Sequence, residues 1–160
     1  MSDLNILIYT DGSCHTRLLI GTWAALVFVD GEKTVLMGAE NETTHNRMEL
    51  LAVIRAIEYI DAQKLEGNKL LICSDSQYVV NLTSRLEKLL QNNFITKKGD
   101  LLHNADLLAA LIQQIRSHDT DFIKIKAHQK DGDVHNREVD LLVRNLLREK
   151  INDKNKTSIK

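Results

Sequence analysis

The stretch that decides the fold spans residues 4–13, LNILIYTDGS. Its first seven residues form a short apolar run, and Asp11-Gly12-Ser13 follows as a typical turn sequence. This pattern predicts a buried strand that ends in a turn. Asp11 is therefore expected just beyond the end of that strand.

The remaining elements follow in an order typical of an α/β domain. Asp30-Gly31 is a strong two-residue hairpin signal between two apolar runs, and residues 45–61 carry apolar side chains at helical spacing. A mixed sheet with helices on both faces accounts for this order of elements. The predicted strands are residues 4–10, 21–29, 33–39, 69–73 and 122–127, and the predicted helices are residues 45–61, 77–90, 101–117 and 136–150.

Length and composition indicate one domain. The chain has 160 residues, which suits a single core. We expect one domain over residues 1–150, which carries any active site, and a disordered tail over 151–160. No apolar run approaches the roughly 18 residues that a membrane span needs. The N-terminus lacks a signal-peptide pattern, and two cysteines are too few for a disulfide framework. A monomer in the cytoplasm, with no membrane partner, is the simplest expectation.

The net charge of −1 argues against a protein that holds nucleic acid through overall charge. Proteins that hold nucleic acid through charge alone usually carry a clear excess of cations. Any binding of nucleic acid would therefore have to come from local basic residues, backbone donors or bound metal, and it would be modest and salt-sensitive.

Two aspartates, Asp11 and Asp75, each follow a buried apolar run. Ligands collect at the carboxyl ends of strands in open α/β sheets, so the two carboxylates converge there if the strands are neighbours. The alternative is that both are ordinary turn or helix-cap residues, which aspartate commonly is.

Glu49 shifts the balance towards a functional cluster. At 100° per residue it lies on the buried arc of helix 45–61, and no basic residue shares that arc. A glutamate there costs on the order of several kcal/mol unless a partner compensates it. A cation, a protonated state or partial exposure would each relieve this cost.

Asp140 supplies a further acid, on the border of the apolar arc of the last helix. Carboxylates without a cysteine or histidine cluster suit a hard cation, Mg²⁺ or Mn²⁺, and they fit zinc poorly. Two such ions about 4 Å apart would serve in-line hydrolysis of a phosphodiester.

At these residues the sequence resembles a known family, ribonuclease H of type 1. The matching segments occur in family order across almost the whole chain, and five in order are far more specific than any one of them. They are YTDGSC at 9–14, THNRMEL at 44–50, SDSQYV at 74–79, KAH at 126–128 and NREVD at 136–140.

The resemblance implies a five-stranded mixed sheet, with the first three strands antiparallel and the others parallel. It also implies an endoribonuclease that cuts the RNA strand of RNA–DNA hybrids, leaving a 5′ phosphate and a 3′ hydroxyl. Two Mg²⁺ ions, or Mn²⁺ as a substitute, would activate a water and hold the scissile phosphate. Their ligands would be the four acids Asp11, Glu49, Asp75 and Asp140.

The resemblance assigns His128 a role in proton transfer or product release, for which a pKa near neutrality is suited. The alternative is a surface histidine in a flexible loop.

Five polar residues match the family's substrate contacts. Cys14, Asn46 and Gln77 correspond to contacts with the minor groove and the RNA 2′ hydroxyls, the group that separates RNA from DNA. Thr44 and Asn104 correspond to a pair that grips a DNA-strand phosphate. The ordinary alternatives are a helix cap for Thr44 and exposed helix positions for Gln77 and Asn104.

The chain departs from the family in two places. The sequence HTRLLI at 15–20 stands where relatives often carry a loop rich in glycine and proline. The basic region over residues 85–100, called here the handle, is thin, because two acids offset its four cations. We therefore predict weaker hybrid binding than that of a strongly basic relative. The cations are Arg85, Lys88, Lys97 and Lys98, and the acids are Glu87 and Asp100.

Three other functions compete with this interpretation. A DNA nuclease on the same fold would share the acids, since fold and metal chemistry do not determine the substrate. A catalytically weak hybrid-binding protein is the second. The third, a small-molecule enzyme of the doubly wound class, lacks support because no glycine-rich phosphate loop is present.

Overall fold

The computed structural model describes residues 4–65, 67–94, 104–126 and 133–158. This part of the chain forms five strands and five helices. The strands are β1 (Ile6–Cys14), β2 (Gly21–Val29), β3 (Glu32–Glu40), β4 (Lys69–Ser74) and β5 (Asp119–Lys124), and the helices are α1 (His45–Ala62), α2 (Gln77–Thr83), α3 (Leu86–Gln91), α4 (Ala105–Ser117) and α5 (Val134–Ser158).

The five strands form one mixed sheet in the order β3-β2-β1-β4-β5. β1, β2 and β3 are antiparallel, whereas β4 and β5 run parallel to β1. Asp30 and Gly31 form the β2–β3 turn with φ of 48° and 88°, the left-handed pair that a tight hairpin requires. The predicted topology and the predicted hairpin are both confirmed.

Helices cover both faces of the sheet, as predicted. On one face α1 packs against β1, β2 and α4 over the larger core, in which Trp23 is buried. On the other face α5 packs against β1 and β2 over a smaller core that includes Tyr9, Leu26 and Val143. Within the described ranges, every helix is too short or too polar to cross a lipid bilayer.

β1 is longer than predicted, and this changes the position of Asp11. The strand does not end at residue 10 but continues to Cys14, because its pairing with β2 continues through Gly12 with Trp23 and Cys14 with Gly21. Asp11 therefore lies inside the strand, and the expected turn begins only after Cys14. The prediction that Asp11 follows the strand was wrong.

Two other boundaries also differ from the predictions. The helix predicted over residues 77–90 is interrupted at Ser84, whose hydroxyl donates to the Asn81 carbonyl, so that α2 and α3 are separate. The last strand begins at Asp119 rather than at residue 122 because it pairs with β4 from Lys69 onwards.

The disordered tail predicted over residues 151–160 is wrong as far as Ser158, because α5 continues to that residue. The sequence has no glycine or proline after Gly132 to interrupt the helix. Lys150 and Lys154 also border a surface pocket with Ile20 and Glu40, so this part of α5 lies against the body of the domain.

Gly12 allows α1 to approach β1 closely enough for Glu49 to reach Asp11. A methyl group on Gly12 would lie 2.5 Å from the carbonyl carbon of Met48 and 2.6 Å from the amide nitrogen of Glu49. These neighbours are helix backbone, which cannot move aside as the end of a side chain can. The contact between β1 and α1 therefore requires glycine at this position.

We expect Gly12→Ala to destabilise the protein by about 2–3 kcal/mol, the upper part of the range typical of overpacking. For a chain of this size each kcal/mol corresponds to about 2–4 °C in Tm, which differential scanning calorimetry would measure.

Gly38→Ala is the matched control. Its added methyl group would meet the side chain of Trp23 at 2.8 Å, and a side chain can shift more easily than a helix backbone. A Tm for Gly12→Ala at or above that of Gly38→Ala would contradict the requirement at Gly12.

Candidate active site

Three carboxylates meet at the edge of the sheet where β1 and β4 end. Asp11 comes from β1, Glu49 from the second turn of α1, and Asp75 directly follows β4. One oxygen of each lies within 4.8 Å of the other two. Asp11 and Glu49 are almost fully buried, with 6% and 2% of their surface exposed. The predicted convergence of these three residues is confirmed.

The alternative of ordinary capping fails for both aspartates. The N-cap of α2 is Ser76, whose hydroxyl accepts the Val79 amide, so Asp75 is not the cap. Asp11 sits within a paired strand, and its carboxylate accepts the amide of the adjacent Gly12 at 2.9 Å. Neither carboxylate is needed to end an element.

Glu49 is buried with only half of its carboxylate satisfied. Its Oε1 lies 3.2 Å from Nε2 of His45, one helical turn earlier. Its Oε2 is buried without a hydrogen-bond partner among the described residues. Burial raises the pKa of Glu49, although the contact with His45 works in the opposite direction. The same contact raises the pKa of His45.

The surroundings of Asp11 strongly raise the pKa of its carboxyl group. Burial, followed by the charges of Glu49 and Asp75, raises its pKa to about 9, and the hydrogen bond from Gly12 only partly opposes this. Without a cation, the cluster therefore retains protons that isolated carboxyl groups would have lost.

Asp140 borders the same cleft but faces another partner. Its carboxylate lies 2.9 Å from the guanidinium of Arg144, one turn later on α5, and it is not among the three acids whose oxygens meet within 4.8 Å. Its charge still contributes to the raised pKa of Asp11. The cleft is lined by Asp11, Gly12, Ser13, His45, Asn46, Glu49, Asp75, Ser76, Gln77, Tyr78, Asp140 and Arg144.

The donor set fits a hard divalent cation. Every candidate ligand atom in the cluster is a carboxylate oxygen, the type preferred by such ions. The unpartnered Oε2 of Glu49 gives independent support, because a buried anionic oxygen without a donor is costly and a cation would compensate it.

Two of the predicted substrate residues line this cleft. Asn46 is exposed beside the carboxylates, and Gln77 is exposed on α2, where its amide donates to Asn81 at 2.6 Å. Cys14, half-buried at the end of β1, is directed instead towards the Thr43 carbonyl, 3.4 Å from its sulfur.

Thr44 and Asn104 share a second pocket, as their predicted pairing requires. Thr44 is also the N-cap of α1, so its ordinary role is confirmed, whereas Asn104 precedes α4 with a left-handed φ of 64° and donates to the Tyr78 hydroxyl. Glu40 and Glu42 line the same pocket and would repel a phosphate.

Arg47 also lines this pocket, but its charge is already paired and does not fully neutralise Glu40 and Glu42. Its guanidinium makes two hydrogen bonds to Asp106, at 2.9 and 3.1 Å, and lies 3.5 Å from Glu40. Arg47 is therefore held by partners within the protein.

Sequence reasoning missed two residues of the cleft, His45 and Arg144. Each lies four positions from a predicted acid on the same helix, and this spacing could have identified both. His45 also corrects the expectation that no basic residue accompanies Glu49. His128 lies outside the described residues.

In buffer free of divalent cations, we expect Asp11→Asn to stabilise the protein near pH 8. The folded pKa of about 9 exceeds the ordinary value of 3.8, so ionisation of Asp11 progressively destabilises the fold as the pH rises between these values. The amide avoids this cost and should gain at least about 1 kcal/mol. The gain should vanish as the pH falls towards 4, where the wild-type carboxyl group is protonated.

Thermal unfolding of both proteins across this pH range would measure the effect. Asp121→Asn is the matched control, because Asp121 is exposed and paired with Lys69 at 2.9 Å, and its substitution should change Tm little. If Asp11→Asn is no more stable than the wild type near pH 8, the claim that ionised Asp11 destabilises the folded protein is contradicted.

Curated relatives match nearly the full length of the chain. A ribonuclease H of Caldicellulosiruptor saccharolyticus is 34% identical over 146 residues, covering 90% of this chain and 97% of that protein. A ribonuclease H of Chlorobium phaeobacteroides is 36% identical over 134 residues, covering 82% and 88%.

The fold has solved counterparts. The crystal structure of LC9-RNase H1, described as a type 1 RNase H with the type 2 active-site motif, superposes with a TM-score of 0.79 at 23% identity and covers 93% of this chain and 74% of that one. The family model for RNase H matches residues 3–148. With this match, the near full-length relatives and the converging carboxylates, the chain belongs to the RNase H family of nucleases.

Proposed function

We propose that this protein is an endoribonuclease that hydrolyses the RNA strand of RNA–DNA hybrids and leaves 5′-phosphate and 3′-hydroxyl ends. The observation that carries the proposal is the meeting of the Asp11, Glu49 and Asp75 carboxylates within 4.8 Å. Membership of the RNase H family supports the choice of substrate.

We propose Mg²⁺ as the cofactor, with Mn²⁺ as a substitute and two ions present when substrate is bound. Asp11, Glu49 and Asp75 would hold the ions, and Asp140 would join them by releasing Arg144. Such ions supply a water of lowered pKa and stabilise charge on the scissile phosphate and on the leaving 3′ oxygen.

The residues that line the cleft suit recognition of the RNA strand. Asn46 and Gln77 each present an amide, which both donates and accepts hydrogen bonds and so matches a 2′ hydroxyl. Cys14 would join them at the end of β1. Thr44 and Asn104 would hold a DNA-strand phosphate, weakly, because Glu40 and Glu42 border the same pocket.

We propose that His128 assists proton transfer or product release. A histidine titrates near neutral pH, so it can accept and return a proton under ordinary conditions. The resemblance of residues 126–128 to the family's KAH segment supports this role.

We also propose that the enzyme is a cytoplasmic monomer. Cys14 and Cys73 are both free thiols, which suits a reducing compartment. All four acids of the cleft come from one chain, so the site is complete without a second copy.

Cleavage of end-labelled substrates tests this function. With Mg²⁺, the wild type should cut the RNA strand of a hybrid and leave duplex DNA and duplex RNA of matched sequence intact. Asp11→Asn should lower the cleavage rate at least about a hundredfold. Loss of a residue that only hydrogen-bonds to a metal ligand typically costs about tenfold to a hundredfold, and loss of a ligand itself should cost more. Hybrid binding by the variant should be largely retained.

Asp121→Asn again serves as the control and should cleave like the wild type, because Asp121 lies on β5 and pairs with Lys69. Preferential cutting of duplex DNA would favour a DNA nuclease on the same fold. If no substrate is cleaved with either Mg²⁺ or Mn²⁺, the protein would instead bind hybrids without cutting them.

A further inference from the structure

Two arginines of α5, Arg144 and Arg148, lie on the same side of the helix. They are four residues apart, and positions with this spacing share a helix face. Both are exposed, and the Arg144 side chain keeps 59% of its surface accessible. We call this pair the α5 arginine surface.

The α5 arginine surface lies at the edge of the sheet that carries the carboxylates. Near its start, α5 places His135 against Phe28, with ring centroids 4.6 Å apart, towards the far end of β2. Further along, the Val143 carbonyl accepts the hydroxyl of Thr22, which pairs with Ser13 near the end of β1. The helix therefore runs towards the edge where β1 ends.

α5 does not stop at that edge. It continues from Val143 to Ser158, and at 1.5 Å per residue Arg148 lies about 7 Å farther along the axis than Val143. Lys150 and Lys154 border the pocket beside Ile20 and Glu40, on a different side of the helix from Arg148. Arg148 therefore lies on the same helix face as Arg144, one turn beyond the residue that lines the cleft.

The two arginines differ in their partners. Arg144 lines the cleft and pairs with Asp140 at 2.9 Å. Arg148 makes no ion pair or side-chain hydrogen bond with any residue in the described ranges. The ion pair with Asp140 accounts for Arg144 as a residue that stabilises the helix. It does not account for Arg148, whose exposed charge lies one turn later.

We propose that the α5 arginine surface binds the phosphodiester backbone of the hybrid where it leaves the carboxylate cleft. This inference rests on the proposed function, since it places the substrate across that cleft. Guanidinium groups match phosphate oxygens in charge and geometry. The surface would add backbone contacts at the edge of the active site.

The pocket of Thr44 and Asn104 gives further support. That pocket carries Glu40 and Glu42, whose negative charges would repel a phosphate bound there. Backbone affinity then has to come from cations elsewhere, and Arg144 is the arginine that lines the carboxylate cleft itself.

The test compares wild type, Arg148→Gln, Arg148→Lys and Arg55→Gln in steady-state cleavage of a hybrid across a KCl series. Arg55→Gln removes the same charge from an exposed position on α1, where Arg55 pairs with Glu58 at 2.7 Å. A parallel series measures binding of a fluorescent hybrid in EDTA, so that affinity is obtained without cleavage. Tm values confirm that all variants fold.

We expect Arg148→Gln to raise KM about threefold to eightfold at about 0.1 M KCl, with kcat unchanged. The slope of log affinity against log salt should become shallower by about 0.9, the value for one phosphate contact. Arg148→Lys should recover most of the affinity, and Arg55→Gln should match the wild type.

Equal KM values and salt slopes for Arg148→Gln and Arg55→Gln would overturn the inference while leaving the proposed function intact. If the wild type binds the hybrid through Arg148 but cuts no substrate, the surface stands and the proposed function fails. A protein that neither cuts nor binds the hybrid overturns both.

Discussion

Mutual repulsion among three carboxylates is the constraint on which this site depends. Asp11, Glu49 and Asp75 bring their oxygens within 4.8 Å at a largely buried edge of the sheet. The Gly12 amide and His45 satisfy only part of this charge, and one oxygen of Glu49 has no described donor. Such an arrangement costs stability unless a proton or a cation compensates it. The backbone contact at Gly12 enforces the approach, so the fold itself maintains the strain.

Much of the site followed from the sequence because helical periodicity is local. The buried position of Glu49 could be read from its place among apolar neighbours on α1, and the structure confirms it. The position of Asp11 could not be read in this way. The residues after Thr10 look like a turn, yet β2 supplies a partner for each of them, and that partner is distant in sequence. The limits of β5 were likewise decided by β4, through pairing that begins at Lys69.

The net charge does not show where the basic side chains of this protein lie or which of them are paired. A net charge of −1 predicts modest binding, but it carries no information about which arginines remain available. Glu87, expected to offset the handle, is instead paired with Arg116 at 3.2 Å. Arg148 has no such partner among the described residues, and this became visible only once the contacts of α5 were known. A polar sequence without glycine or proline can continue a helix when its first turns are already packed.

The most direct measurement of the central claim is anomalous X-ray diffraction from crystals of the protein soaked in Mn²⁺. The account predicts an anomalous difference peak among the carboxylates of Asp11, Glu49 and Asp75, and the loss of that peak in Glu49→Gln crystals. Crystals that bind Mn²⁺ at other sites but show no peak between these three side chains would contradict it.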